Sequence, residues 1–164
     1  MCETAGAMIS RVGNAFVLGP GDGRSIPLGN FSMSLKASEG DTAGAFSLLE
    51  ATEPPGFGPP LHIHHNAAEA FYVLEGGYRI WIESREFSCP AGSFVYIPAG
   101  TGHGFRVGEV ASRKLNLFLP AAMVGYFDDL SRVITTDQAG PAELDAIAER
   151  AGMEVIGPVP EGYL

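Results

Sequence analysis

Between Asn14 and Leu119 the chain is a series of short segments rich in Val, Ile, Phe, Tyr and Trp, each closed off by Gly or Pro. Runs of four to seven such residues are too short for stable helices and have the length and composition of strands. The pattern predicts strands at Asn14–Leu18, Phe31–Ala37, Phe46–Ala51, Leu61–His65, Ala70–Leu74, Tyr78–Glu83, Phe94–Ile97, Gly104–Val107 and Lys114–Leu119. Turns such as Glu75-Gly76-Gly77 and Pro90-Ala91-Gly92 fall at regular intervals between them. No helical pattern alternates with these strands, so an all-β antiparallel sandwich or barrel is expected rather than an α/β fold.

After Pro120 the period changes. Met123, Phe127 and Leu130 recur at helical spacing, and so do Leu144, Ile147 and Ala151 behind Pro141, with Gly152 placed as a stop. Two short helices packed on the barrel are predicted there. With 164 residues, 46% apolar and 18% charged, the chain has material for one core and reads as a single domain: a barrel over about 14–119 and a helical extension over about 120–164.

The net charge of −9, with only ten scattered Lys and Arg, opposes binding to phosphate backbones, so nucleic acid is not expected as a partner. The N-terminal residues carry an early acid and no apolar signal core, and no run is long enough to span a bilayer. No membrane association is expected, and the chain reads as cytoplasmic. Cys2 and Cys89 are too few for a disulfide framework and read as free thiols.

In Leu61-His62-Ile63-His64 the histidines are one residue apart. On a strand, residues i and i+2 leave the same face about 6.6 Å apart, so both imidazoles can reach one ion. Glu69 follows across Asn66-Ala67-Ala68, and His103 arrives after Pro98-Ala99-Gly100-Thr101-Gly102. Three imidazoles and a carboxylate suit one divalent transition metal: Fe, Mn, Ni, Co, Cu or Zn. Taken singly, each of these residues has an ordinary reading as a surface or hydrogen-bonded side chain. His65, on the opposite strand face, is expected to point away.

The whole string resembles the two motifs of the cupin superfamily. The first is His-x-His-x4-Glu-x6-Gly, from His62 through Glu69 to Gly76; the second is Gly-x5-Pro-x-Gly-x2-His, from Gly92 through Pro98 and Gly100 to His103. The resemblance runs from about Phe46 to Leu119 and implies a double-stranded β-helix, the jelly-roll barrel, with His62, His64, Glu69 and His103 as metal ligands. Two departures stand out. Val107 occupies a place where the second motif often has Asn, and the Gly opening the first motif is either Gly56 or Gly58 amid four prolines.

If the four ligands point inward, strand alternation puts Phe71, Val73, Phe105 and Val107 on the same inward side as a substrate pocket. In the family that the chain resembles, the segment after the barrel often lies near the pocket mouth, which would place Met123 and Phe127 there, although ordinary helix-on-barrel packing accounts for them equally well. Such a wall suits a planar organic molecule better than a sugar or phosphate. Among cupins the sequence is most similar to bacterial quercetin dioxygenase-like proteins. That resemblance implies a metal-dependent dioxygenase, with Glu69 as ligand and general base and dioxygen adding to a deprotonated phenolic or enolic substrate. A metal-dependent isomerase or cyclase of a carbonyl or polyketide-like substrate, and a non-catalytic metal or small-molecule binder, are the alternatives. A homodimer is expected by family analogy.

Overall fold

The computed structural model describes residues 9–136 and 140–158. In chain order the elements are β1 (Ser10–Val12), β2 (Ala15–Val17), β3 (Arg24–Leu28), β4 (Phe31–Ala37), a one-turn helix α1 (Glu39–Thr42), β5 (Ser47–Glu53), β6 (Leu61–His64), β7 (Ala68–Glu75) and β8 (Gly77–Ile82). They continue with β9 (Arg85–Pro90), β10 (Phe94–Ile97), β11 (His103–Val107), β12 (Ser112–Leu119), α2 (Val124–Thr135), α3 (Pro141–Arg150) and β13 (Met153–Gly157).

The strands form a six-stranded sheet in the order β10-β7-β12-β5-β4-β3 and a five-stranded sheet in the order β13-β6-β11-β8-β9, beside a small β1-β2 ribbon. All pairings in both large sheets are antiparallel. The fold is the expected double-stranded β-helix with short helices after the barrel. Alternation decides what each strand buries. In β12, for example, Ser112, Lys114, Asn116 and Phe118 face inward while the residues between them are partly or fully exposed.

Four strands lie outside the sequence expectation: β1, β3, β9 and β13. Each is an edge strand, or belongs to the two-stranded ribbon, and so has a single neighbour. Edge strands need little apolar alternation and tolerate proline; β3 contains Pro27, and most of β9 is exposed. The tail is likewise more than two helices. After α3 the chain turns at Gly152, whose φ is +69° and where a Cβ would meet the Asn66 side chain at 2.7 Å. It then returns as β13 against β6.

The interior divides in two. One cluster joins Ile26, Met33, Leu49 and Phe118 to Met123, Ala148 and Met153, so α2 and α3 are seated on the barrel by apolar burial. The other gathers Phe71, Val73, Ile80, Ile97, Phe105 and Val107 at the far end. Fully burying a side chain of this kind contributes about 1.5–3 kcal/mol. The turn between β7 and β8 needs Gly76: its φ is +71°, and a Cβ there would meet Ser112 Oγ at 2.2 Å. Cys89 is buried as a free thiol, while Cys2 lies outside the described residues. Among the described residues no helix is long and apolar enough to cross a membrane.

Candidate metal centre and its cavity

His62 and His64 lie on β6, which buries both and leaves the alternating Leu61 and Ile63 half-buried. His103 opens β11 and stands directly across the ladder from His62. Glu69 comes from β7 in the other sheet, where its neighbour in register is Phe118 of β12. Three imidazoles from one sheet thus meet a carboxylate from the facing sheet.

One donor atom from each of the four residues lies within 4.8 Å of the others, and all four side chains are buried. Ligands at about 2.0–2.2 Å from a common ion are roughly 3–4 Å apart, so a small inward movement would complete such a shell. The ring orientations are already set. His62 Nδ1 lies 2.8 Å from the Pro60 carbonyl oxygen and His103 Nδ1 lies 2.9 Å from that of Thr101. Each Nδ1–H donates to its carbonyl and leaves the Nε2 lone pair for the centre. His103 Nε2 and His64 Nε2 meet Glu69 Oε2 at 2.7 and 3.1 Å, and His64 Nδ1 is buried without a partner. A buried carboxylate and three buried imidazoles fit a divalent cation well.

Electrostatics agree with this orientation. Burial pushes the Glu69 carboxyl upward, but its hydrogen bonds with His103 and His64 outweigh that and hold it well below the usual carboxylate range. Burial, partly opposed by Glu69, pushes His62 down to about 4. Burial also disfavours charge on His103, yet the hydrogen bond and attraction of Glu69 raise it above the ordinary imidazole value. At neutral pH the carboxylate is charged and His62 is neutral, the states in which both can bind metal. His65 faces outward and pairs with Glu154 at 2.8 Å, as its strand parity requires.

The four residues sit beside a cavity of about 470 Å³, and His62, His64 and Glu69 line it directly. Phe105, Met123 and Phe127 are on its wall. Phe71, Val73 and Val107 are not; they point inward as their parity demands but lie deeper, packed in the far-end cluster. Alternation fixes which face a side chain leaves, not how deep along the barrel it lies. Residues on the tail, among them Tyr126, Leu130, Leu144 and Val155, also line the cavity, so α2, α3 and β13 help to enclose it. Met123 precedes α2 with φ +68°, a left-handed conformation unusual for a residue with a side chain, and is buried against the cavity.

Glu53, Lys114 and Asn116 also line the cavity, and no motif singles them out. Lys114 is only 2% exposed. Its Nζ donates to Glu53 Oε1 and Oε2 at 2.8 and 2.7 Å and stands 4.2 Å from the Phe105 ring centroid. Tyr78 donates its hydroxyl proton to the same Glu53 at 2.9 Å. In the sequence Lys114-Leu-Asn116-Leu the polar residues look like the solvent face; the structure puts them inside. Phe118, on the same parity, carried the signal for the correct face.

Comparison with known proteins agrees with this architecture. A family model described as a Cupin domain matches residues 49–112, which include all four candidate ligands. Quercetin 2,3-dioxygenase of Bacillus subtilis is 27% identical over 115 residues, covering 70% of this chain and 34% of that protein, so the chain spans about a third of the relative's length. Among solved structures, an RmlC-like cupin from Shewanella frigidimarina superposes with a TM-score of 0.56 at 17% identity, covering 69% of this chain and 94% of that one. KdgF from Halomonas sp. gives 0.53 at 18% identity, covering 59% and 86%. At such identities the structural likeness speaks for the fold alone.

Proposed function

Starting from the fact that this chain is a cupin superfamily protein, we propose that it is a metal-dependent dioxygenase acting on a phenolic or enolic, flavonol-like small molecule. The observation that carries this reading is a cavity of about 470 Å³, walled by aromatic and aliphatic side chains, that reaches three of the four donors. A volume in the range of about 300–1,000 Å³ with few polar groups suits an organic molecule of two or three rings.

His62, His64, Glu69 and His103 would hold the cation, which when bound supplies Lewis acidity toward a substrate oxygen and a partner for dioxygen. The protein's own part is to exclude water, hold the ring system and move one proton. Phe105 and Phe127 flank the cavity and orient a planar body. Glu69 would accept the proton of the substrate hydroxyl on a carboxylate oxygen, while His62, His64 and His103 hold the cation beside it. Glu69 is held in its charged, proton-accepting form, and an enol or phenol, being more acidic than a plain alcohol, is the better proton donor to it.

The test is oxygen consumption. Chain loaded separately with Fe, Mn, Co, Ni, Cu or Zn is given flavonols and enediols in an oxygen electrode, with product analysis. At least one metal form consumes oxygen with substrate loss, and Glu69→Gln lowers the rate by about 10²–10⁴-fold. Conversion under strict anaerobiosis would replace this reading with an isomerase or cyclase, and substrates left untouched by every metal form would overturn it.

A further inference from the structure

Asn116 sits within the barrel at 3% exposure, on the cavity wall, and its Oδ1 has no hydrogen-bond partner. A leucine has nearly the same size and would bury in this apolar setting without stranding a polar atom, so packing gives no reason for the amide. Nor does the neighbouring ion pair use it: Lys114 and Tyr78 direct their donors to Glu53, and Tyr78 also reaches the Ser112 carbonyl. Asn116 belongs to the cavity wall, and an acceptor there that the protein leaves unpaired is available to a ligand.

Its distance from the metal centre is set by the sheet. Phe118 is in register with Glu69, and Asn116 is two residues along the same strand, in register with Phe71. It therefore stands about 6.8 Å from the rung that carries Glu69, on the same inward face. That separation is close to the width of a fused two-ring system. Lys114, a further two residues along, also lines the cavity, with its charge paired internally to Glu53.

We infer that Asn116 is a specificity-determining residue that accepts a hydrogen bond from a second hydroxyl of the substrate, one ring away from the oxygen that meets the metal centre. The inference deepens the proposed function and rests on its placement of the substrate, but needs no oxygen chemistry. The ligand class is correspondingly narrower: a planar polyphenol with hydroxyls at both ends rather than a singly hydroxylated enol. The amide acts only by binding, with no part in proton transfer.

Flavonol, galangin and kaempferol share one chelating enol and carry successively more ring hydroxyls, and serve as probes. Each is titrated under nitrogen into zinc-loaded protein, wild type and Asn116→Leu, by calorimetry. Wild type binds the hydroxylated probes about tenfold tighter than flavonol, a typical effect of one hydrogen bond in a dry site. Asn116→Leu binds flavonol within about twofold of wild type but loses the preference. Asn116→Ala repeats the comparison in case the leucine variant does not fold. A preference that survives in a folded variant, a wild type that shows none, or a wild type that binds no probe would overturn the inference. Because dioxygen is absent, a hydroxyl preference without later turnover would leave this inference standing while the oxygenase reading fell.

Discussion

Replacing Lys114 with Met should be among the most destabilising single changes in the barrel, although the residue binds no metal. Lys114 and Glu53 are 2% exposed each, joined by two short hydrogen bonds, with three aromatic rings around the ammonium at 4.2–5.4 Å. Met fills nearly the same volume, so the cavity term is small. What is lost is the counter-charge, and Glu53 keeps only the Tyr78 hydroxyl. Leaving one member of such a pair costs about 3–5 kcal/mol, against a total stability of about 5–15 kcal/mol for a typical domain. At about 2–4 °C per kcal/mol for a chain of this size, the melting temperature should fall by roughly 6–20 °C. The double variant Glu53→Gln/Lys114→Met removes both charges and should recover most of the loss, because a buried ion pair is worth little relative to a neutral, well-packed replacement. Urea unfolding of wild type, both single variants and the double variant gives the coupling energy directly. A Lys114→Met protein within about 1 kcal/mol of wild type would refute the reasoning, as would a double variant no better than the single.

Three further outcomes follow. Phe118 is fully buried, with its ring edge-on to His64 at 5.4 Å; Phe118→Ala should cost about 3–5 kcal/mol in urea unfolding and also weaken metal retention, since the imidazole loses its packing. His65→Ala removes an ion pair whose side chains are 53% and 57% exposed; it should change stability by under about 1 kcal/mol and leave metal content unchanged, a control that separates the buried histidines from the exposed one. Because Glu69 raises the proton affinity of His103, that pair stabilises metal-free protein below the ordinary imidazole value, and the contribution is lost as pH rises through the raised value. Metal must displace this proton, so metal affinity should instead increase with pH over the same window, with proton release visible in calorimetry across buffers of different ionisation heat. Equal pH trends for metal-free and metal-loaded melting temperatures would contradict this.

The central strands and the candidate ligands were legible because the signals were local and redundant. Phe31–Ala37 and Phe94–Ile97 were expected at their observed bounds, and β6, β7, β8, β11 and β12 within two residues at either end. The spacing of His62, His64, Glu69 and His103 needed only strand parity to suggest a common centre. Most of the edge strands were not legible, since β3 and β9 show little apolar alternation and β3, β9 and β13 each take their order from one neighbour, although the edge strand β10 was expected. The cavity wall was half legible. Phe105 faces it as expected, whereas Phe71, Val73 and Val107 share the parity and lie too deep. Least visible was the inward turn of Lys114 and Asn116: alternation has two phases, and the polar phase ordinarily faces water. Only the partner Glu53, 61 residues away in sequence, makes the buried lysine tolerable, and a pairing at that separation leaves no local trace.

The account depends most on one cation held between the two sheets. Elemental analysis of protein purified without a metal-affinity tag, alongside His62→Ala and His103→Ala, tests it directly. About one equivalent of a divalent transition metal per chain, lost together with several degrees of melting temperature in either variant, is the predicted result. Wild type that takes up no metal after exposure to an excess of each candidate ion, or variants that retain a full complement, would contradict it.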